Sequence, residues 1–343
     1  MDATILLILL QDGVMNGAIY ALLALSLVLV FTVTRVVLIP QGELVAFAAL
    51  TYAALDSGTP PASLWLLTGL SLLAAVRGLW DGRREVGGTG RMLLETLGPP
   101  AVVVPLALWL APLRPGVAVS ALLALGIVTP MAPALHRLAF APLAGASVLT
   151  LLIAAVGVHF AMLGLGLVFF GPEGVRATGF SEAVYQLGPL RIPGQAIWIL
   201  AVTLALMAGL AVFFATTLTG KALRATAVNP LGARLVGIPA AAAGRLAFTL
   251  AGFIGALSGV LIAPLTIVYY DTGFLIGLKG FVAAIVGGLV AYPAAMLAAI
   301  AVGVVESFAS FWASPFKEVI VFTAILPVLL VRSLVSHKTE DEE

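Results

Sequence analysis

Between Arg191 and Lys221 the chain carries no charged residue, and VLTLLIAAVGVHFAMLGLGLVFF (148–170) is a second run of the same kind. A helix needs about 20 mostly apolar residues to cross the hydrocarbon core. Lipid offers no partner to an unpaired backbone group, so such runs must close their own hydrogen bonds as helices. Segments of this character lie at about 13–34, 41–56, 62–79, 98–113, 116–135, 148–170, 194–218, 245–269, 275–292, 294–312 and 316–333. Those at 41–56, 98–113 and 275–292 are short, which makes them candidates for re-entrant or broken helices. The expectation is an all-α integral membrane protein, a polytopic bundle of about 8–11 transmembrane segments. Composition agrees: 62% of residues are hydrophobic, 10% are charged, and the mean hydropathy is +1.16.

The same composition excludes several classes. A net charge of +1 gives no bulk attraction for nucleic acid. The absence of cysteine removes disulfides, thiolate metal sites and cysteine nucleophiles, and says nothing about compartment. His136, His159 and His337 are scattered, so no histidine metal cluster is expected. The start, MDATILLILLQDG, has Asp2 where a signal peptide would be basic, and no small-residue cleavage site follows. It reads as retained, with the first helix doing the targeting. The tail HKTEDEE reads as a short disordered end, and residues 1–343 as one transmembrane domain.

Orientation follows from where lysine and arginine sit. With 220–245 cytoplasmic and the segments alternating, the inner loops hold Arg35, Arg77, Arg83, Arg84, Arg91, Arg137, Lys221, Arg224, Arg234, Arg245, Arg332 and Lys338. The outer loops hold Arg114, Arg176, Arg191, Lys279 and Lys317. The excess inside selects this orientation, with the N-terminus outside and the C-terminus cytoplasmic. The outer loop 171–193 is either a plain connector or a contact for a soluble partner. The Gly-rich stretch 77–91 reads as a solvated loop.

Sites of chemistry are not evident. Gly220-Lys221 is followed by Ala222, with Ala215 where a P-loop needs its first glycine, so no nucleotide is held that way. No G-x-S-x-G, no H-E-x-x-H and no clustered catalytic pair occurs. No catalytic, metal or cofactor site is expected. What stands out is GKALRATAVNPLGARLVGIPAAAAGR (220–245): Lys221, Arg224, Arg234 and Arg245 without an acid, in a short amphipathic helix broken by Pro230 and Pro239. It reads either as a docking surface for a soluble motor or as a positive anchor loop with no partner.

Ionisable residues inside apolar segments are functional candidates by default. They are Glu43, His159, Asp271, Lys279 and Glu306. Glu43 follows Gln41-Gly42 at a helix start, where the dipole favours a carboxylate. His159 reads as a neutral, hydrogen-bonded interior histidine. Asp271 and Lys279 fall near the outer interface and read as solvated. Glu306 is the deepest acid, suited to pairing between helices or to substrate. Gly252, Gly255 and Gly259 put small residues on one face, which lets helices approach closely.

Several stretches together resemble the branched-chain amino acid permeases of ABC importers, the LivH/LivM family. The 220–245 segment resembles their coupling loop at Gly220, Ala222, Arg224, Ala225, Ala227, Asn229, Ala233, Gly237 and Ile238. Val228 stands where the family has Glu or Gln, and Pro230 should start or kink a helix. Ile39-Pro40-Gln41-Gly42-Glu43 resembles the family's Gly-Glu turn, 135–165 its R-x-x-Y-R-P-L-R-G segment, and 251–265 and 277–289 its glycine-rich segments. The resemblance covers about 16–56 and 130–332 and is weak over 57–129. It implies a permease domain without its own ATPase, carrying branched-chain or other hydrophobic amino acids, or urea and short amides, across a bacterial inner membrane. Implied partners are two cytoplasmic ABC ATPase subunits at 220–245, a second homologous permease or self, and a periplasmic binding protein. The implied coupling residues are Gly220, Lys221, Arg224, Ala227, Asn229, Ala233, Arg234 and Gly237. Gln41, Gly42, Glu43, Gly252, Gly255, Gly259 and Glu306 are candidates for packing or the pathway. An autonomous carrier would instead show inverted repeats with broken helices, and no clear internal repeat is visible in the sequence.

Overall fold

The computed structural model describes residues 3–82, 89–188, 190–289 and 291–330. Arg83, Arg84, Arg332, Lys338 and the acidic tail lie outside the described residues. The long helices are α1 (Ala3–Thr34), α3 (Ser63–Gly82), α4 (Thr89–Leu110), α7 (Val148–Phe170), α8 (Gly194–Thr216), α11 (Ala240–Ile262) and α13 (Tyr292–Trp312). The shorter ones are α2 (Gln41–Ser57), α5 (Val117–Val128), α6 (Met131–Leu135), α9 (Leu218–Val228), α10 (Pro230–Leu235), α12 (Thr272–Val286) and α14 (Lys317–Thr323). Among the described residues, eight stretches are long and apolar enough to cross a membrane, with α5 and α6 joined in one of them. The protein is a multi-pass helical bundle.

The ends of these helices sort into two layers. Thr34, His136 and the start of α11 meet at one end, where a Cβ on Gly244 would lie 2.8 Å from the His136 ring and 3.4 Å from Thr34. Phe214 of α8 stacks on Tyr292 of α13 at a ring distance of 5.6 Å. At the other end Gln11 donates to the Arg191 carbonyl, and Asp56 accepts from Thr178. α1 is the central post, buried along most of its length. It runs antiparallel to α13, and the two touch backbone to backbone: Cβ atoms on Gly13, Gly17 and Gly303 would fall 2.3–2.6 Å from backbone of the facing helix. Here the Gly-x-x-x-Gly spacing of residues 13 and 17 is used for close approach.

α2 and α12 are broken crossings. α1 ends at Arg35, which takes a positive φ of 61°, and residues 35–40 return as a non-helical stretch with Val36 and Leu38 buried. α2 then starts deep in the bundle, where Gln41 donates to the Ala251 carbonyl halfway along α11, and runs to the Asp56 end. On the other side, α11 ends at Ile262, Val268 pairs with Val175, and the chain dips back before α12 begins. α12 then runs the opposite way, past Leu23 at Gly280 to Ala295 at Gly287. The two helix starts meet at Gly42 and Gly273. A long helix followed by a broken crossing thus occurs twice, in opposite directions. The sequence hid it because Gly42 and Gly273 share backbone proximity, not sequence.

Two expectations change. The segment at 98–113 is not short, because the helix starts at Thr89; Pro99, Pro100 and Pro105 lie within it, as membrane helices tolerate. The first helix starts at Ala3 rather than 13, through Gln11 and Asp12. The outer loop 171–193, read as a plain connector or a partner contact, holds an antiparallel hairpin, β1 (Val184–Leu187) on β2 (Leu190–Pro193), while the bundle itself is all-α as expected.

Candidate functional site

Two features stand out: a cavity on the hairpin side of the bundle, and the exposed α9–α10 pair at the opposite end. The cavity has a volume of about 740 Å³ and is walled by α1, α7, α12, α13 and α14. Apolar side chains make most of the wall, including Ile19, Leu163, Ile262, Phe274 and Leu275. Its charged lining is Asp271, Lys279, Glu306, Lys317 and Glu318.

Lys279 sits two turns into α12, where the helix faces α1 and α13. Its Nζ lies 2.5 Å from Glu306 Oε1 and 3.1 Å from Glu318 Oε1. The other Glu306 oxygen accepts from the Tyr20 hydroxyl at 2.5 Å. Lys279 and Glu306 are each only 6% exposed. The pair is therefore desolvated, and its strength rests on charge-assisted bonds inside a low-dielectric wall. Lys279 is not a solvated residue at the outer interface, which corrects the reading from sequence. That reading missed it because the helix start was placed at 275 instead of 272, so the lysine seemed nearer an end. Asp271 is exposed, at the cavity mouth.

In the cavity wall, His159 of α7 holds Glu43 of α2 at 2.7 Å and stacks on Phe274 of α12 at 4.6 Å. Glu43 is thus an interhelical partner as well as the acid of the first turn of α2. One oxygen each of Glu43 and Gln41 is buried without a partner among the described residues. Gly42 lies between them, and a Cβ there would stand 2.0 Å from the Gly273 carbonyl oxygen. The α11 glycines line the same contact region. Cβ atoms on Gly252, Gly255 and Gly259 would meet Ala132, Gln41 and the Val45 carbonyl at 2.6, 2.7 and 2.2 Å.

At the other end, Thr217 opens α9 by accepting from the Gly220 amide at 2.9 Å. Asn229 opens α10 in the same way, accepting from the Gly232 amide, with Pro230 in the first turn. Both caps satisfy amides that a helix start leaves unpaired, and Pro230 needs no amide partner there. Gly237 closes the segment with a φ of 86°. Leu223 and Ala227 pack on Leu29, Val33, Ala243 and Ala247. Gly220 lies against the end of α8, with Phe213 backbone 2.2 Å from where its Cβ would be, and Ala233 is buried. The outer face presents Lys221, Arg224 and Arg234 beside Leu218, Val228, Leu231, Leu235 and Val236, all exposed. Arg245 belongs elsewhere. It lies on α11 and binds Glu95 of α4 at 3.1 Å, while Arg137 bonds Thr96, so these arginines hold α4 to the bundle.

Comparison with known proteins comes to the same place. The family model described as the permease component of branched-chain amino acid transport systems matches residues 9–331. The high-affinity branched-chain amino acid transport permease BraD of Pseudomonas aeruginosa is 29% identical over 205 residues, 58% of this chain and 67% of its own length. LivH permeases of Salmonella typhimurium and Escherichia coli K12 are each 28% identical over 206 residues, 57% of this chain and 66% of their own length. The chain thus aligns with about two thirds of these relatives. No solved structure shows a significant match.

Proposed function

The chain belongs to the family of permease components of branched-chain amino acid transport systems, and from that membership we propose that it is the membrane subunit of an ATP-driven importer. It supplies a passage for branched-chain or other hydrophobic amino acids, as one permease domain without an ATPase site of its own. Two ATPase subunits dock on α9–α10, a second permease copy or homologue completes the passage, and a periplasmic binding protein delivers solute at the hairpin side. The membrane is the bacterial inner membrane, with the C-terminus cytoplasmic.

The observation that carries this reading is the exposed face of α9–α10. Five large apolar side chains stand in solvent beside Lys221, Arg224 and Arg234, on two capped helices at the end of the bundle. Exposed apolar patches on an otherwise well-buried segment mark a partner surface. The inner face of α9 packs on α1 through Leu223, and α1 carries Tyr20 into the cavity wall. A push on α9 therefore reaches the cavity along one rigid helix of about 48 Å, at 1.5 Å rise per residue.

The test is co-purification with the candidate ATPase. The double variant Arg224→Glu, Arg234→Glu is expected to insert and melt like wild type, yet to bring down less than a tenth of the ATPase. If the double variant retains the ATPase in full, docking on α9–α10 is wrong. If the wild type binds no ATPase and still moves solute without ATP, the importer reading itself fails in favour of an autonomous carrier. The opposed broken helices α2 and α12 suit that alternative equally well, so they do not decide between the two.

A further inference from the structure

We propose that the Lys279–Glu318 pair is the recognition element for the zwitterionic head of an α-amino acid. This rests on the permease reading above and names the residues that would select the solute. The argument begins with what the cluster leaves open. A lysine ammonium has three donors. Lys279 uses one on Glu306 and one on Glu318. Its third has no hydrogen-bond partner among the described residues, with the Tyr20 ring 5.8 Å away. Glu318 uses Oε1 on the lysine, while its Oε2 is buried and has no partner. One donor and one acceptor that no described residue meets therefore belong to neighbouring groups 3.1 Å apart, both from residues that line the cavity.

A zwitterion matches that arrangement. Its carboxylate takes the third donor of Lys279, and its ammonium takes Glu318 Oε2. Formal charge argues against a bare anion, and the open lysine donor argues against a bare amine. The cavity is lined by three acids, Asp271, Glu306 and Glu318, and two lysines, Lys279 and Lys317. A solute with no net charge leaves this balance unchanged, whereas a bare carboxylate adds to the excess of acids. A simple amine would leave the lysine donor unmet. Buried polar groups left unpaired are what makes a site of this kind discriminate strongly. Beyond the charged groups, Ile19, Leu163, Ile262 and Phe274 offer an apolar wall for the side chain. Tyr20 and Glu306 hold the lysine in place and are positioning residues; each Glu306 oxygen already has a partner.

The chain has no cysteine, so a single reporter can be installed. Leu275 lines the cavity and is 46% exposed. In the purified Leu275→Cys protein, a charged, membrane-impermeant thiol reagent is expected to label this position. L-leucine at millimolar concentration should slow labelling at least tenfold. 4-Methylpentanoate, which lacks the ammonium, and 3-methylbutylamine, which lacks the carboxylate, should leave the rate unchanged. Adding Glu318→Gln should abolish the protection while keeping the unprotected labelling rate. Leucine that protects no better than its two half-molecules, or that still protects in Glu318→Gln, would overturn the proposal. So would labelling that leucine never slows. The assay uses neither ATPase nor binding protein, so its outcome is independent of the co-purification test.

Discussion

Gly42→Ala is expected to yield almost no monodisperse, folded protein. The new methyl carbon would sit 2.0 Å from the carbonyl oxygen of Gly273 and 2.6 Å from its carbonyl carbon. An ordinary carbon–oxygen contact is about 3.3 Å, so the starts of α2 and α12 must part by roughly 1 Å. Neither atom belongs to a flexible side chain that could swing aside. The same two helices carry Glu43, which reaches His159, and Lys279, which reaches Glu306. Separating them stretches both pairs. The cost should exceed the ~1–3 kcal/mol of ordinary overpacking, against a total stability of about 5–15 kcal/mol. The control is Gly164→Ala on α7, where a Cβ meets nothing within 4 Å. There alanine should raise stability by up to ~1 kcal/mol through helix propensity. Size-exclusion yield and the melting midpoint in detergent read both. A Gly42→Ala protein that melts within a few degrees of wild type would show that the broken helices do not meet at this point.

How much of this was legible depends on whether the signal was local. α7 was read at 148–170 and stands there, because a uniform apolar run bounded by Ser147 and Gly171 contains everything that defines such a helix. α9 and α10 were readable as a broken amphipathic segment from Pro230 and Pro239, although their caps, Thr217 and Asn229, went unremarked. Glu43, Glu306 and His159 were singled out because a charge or ring inside an apolar run is itself a signal. The pairings were not, since Tyr20 and Lys279 are distant in sequence from Glu306. The meeting of Gly42 with Gly273 was invisible for the same reason. Glycine is common in membrane helices, and only the fold shows which ones replace a side chain with a neighbour's backbone. The hairpin was hidden by a short, exposed and irregular stretch that reads as loop.

Lys279→Met is expected to lower stability by about 3–5 kcal/mol, because it removes one partner of a buried ion pair and leaves the other charge unmet. Glu306 would keep the Tyr20 hydroxyl but lose its ammonium, and Glu318 would lose its contact altogether. Glu306→Met should cost a similar amount, leaving Lys279 with only the partly exposed Glu318. The double variant Lys279→Met, Glu306→Met is expected to melt close to wild type. Replacing a buried pair by apolar side chains of similar volume is often neutral or stabilising, and these two positions are surrounded by apolar wall. The cycle should thus show a coupling of several kcal/mol, read from melting or denaturant midpoints. A double variant as unstable as the two single losses combined would mean that the charges do not serve one another. If the double variant is stable, the sharper question is what the pair is for. A fold that stands without Lys279 and Glu306 has no structural need of two charges in its membrane interior. The stable double variant, carrying Leu275→Cys, should then label at the same rate with and without leucine. Protection by leucine in a protein that lacks both charges would leave them with neither a structural nor a recognition role, and the solute would have to be held by the apolar wall alone.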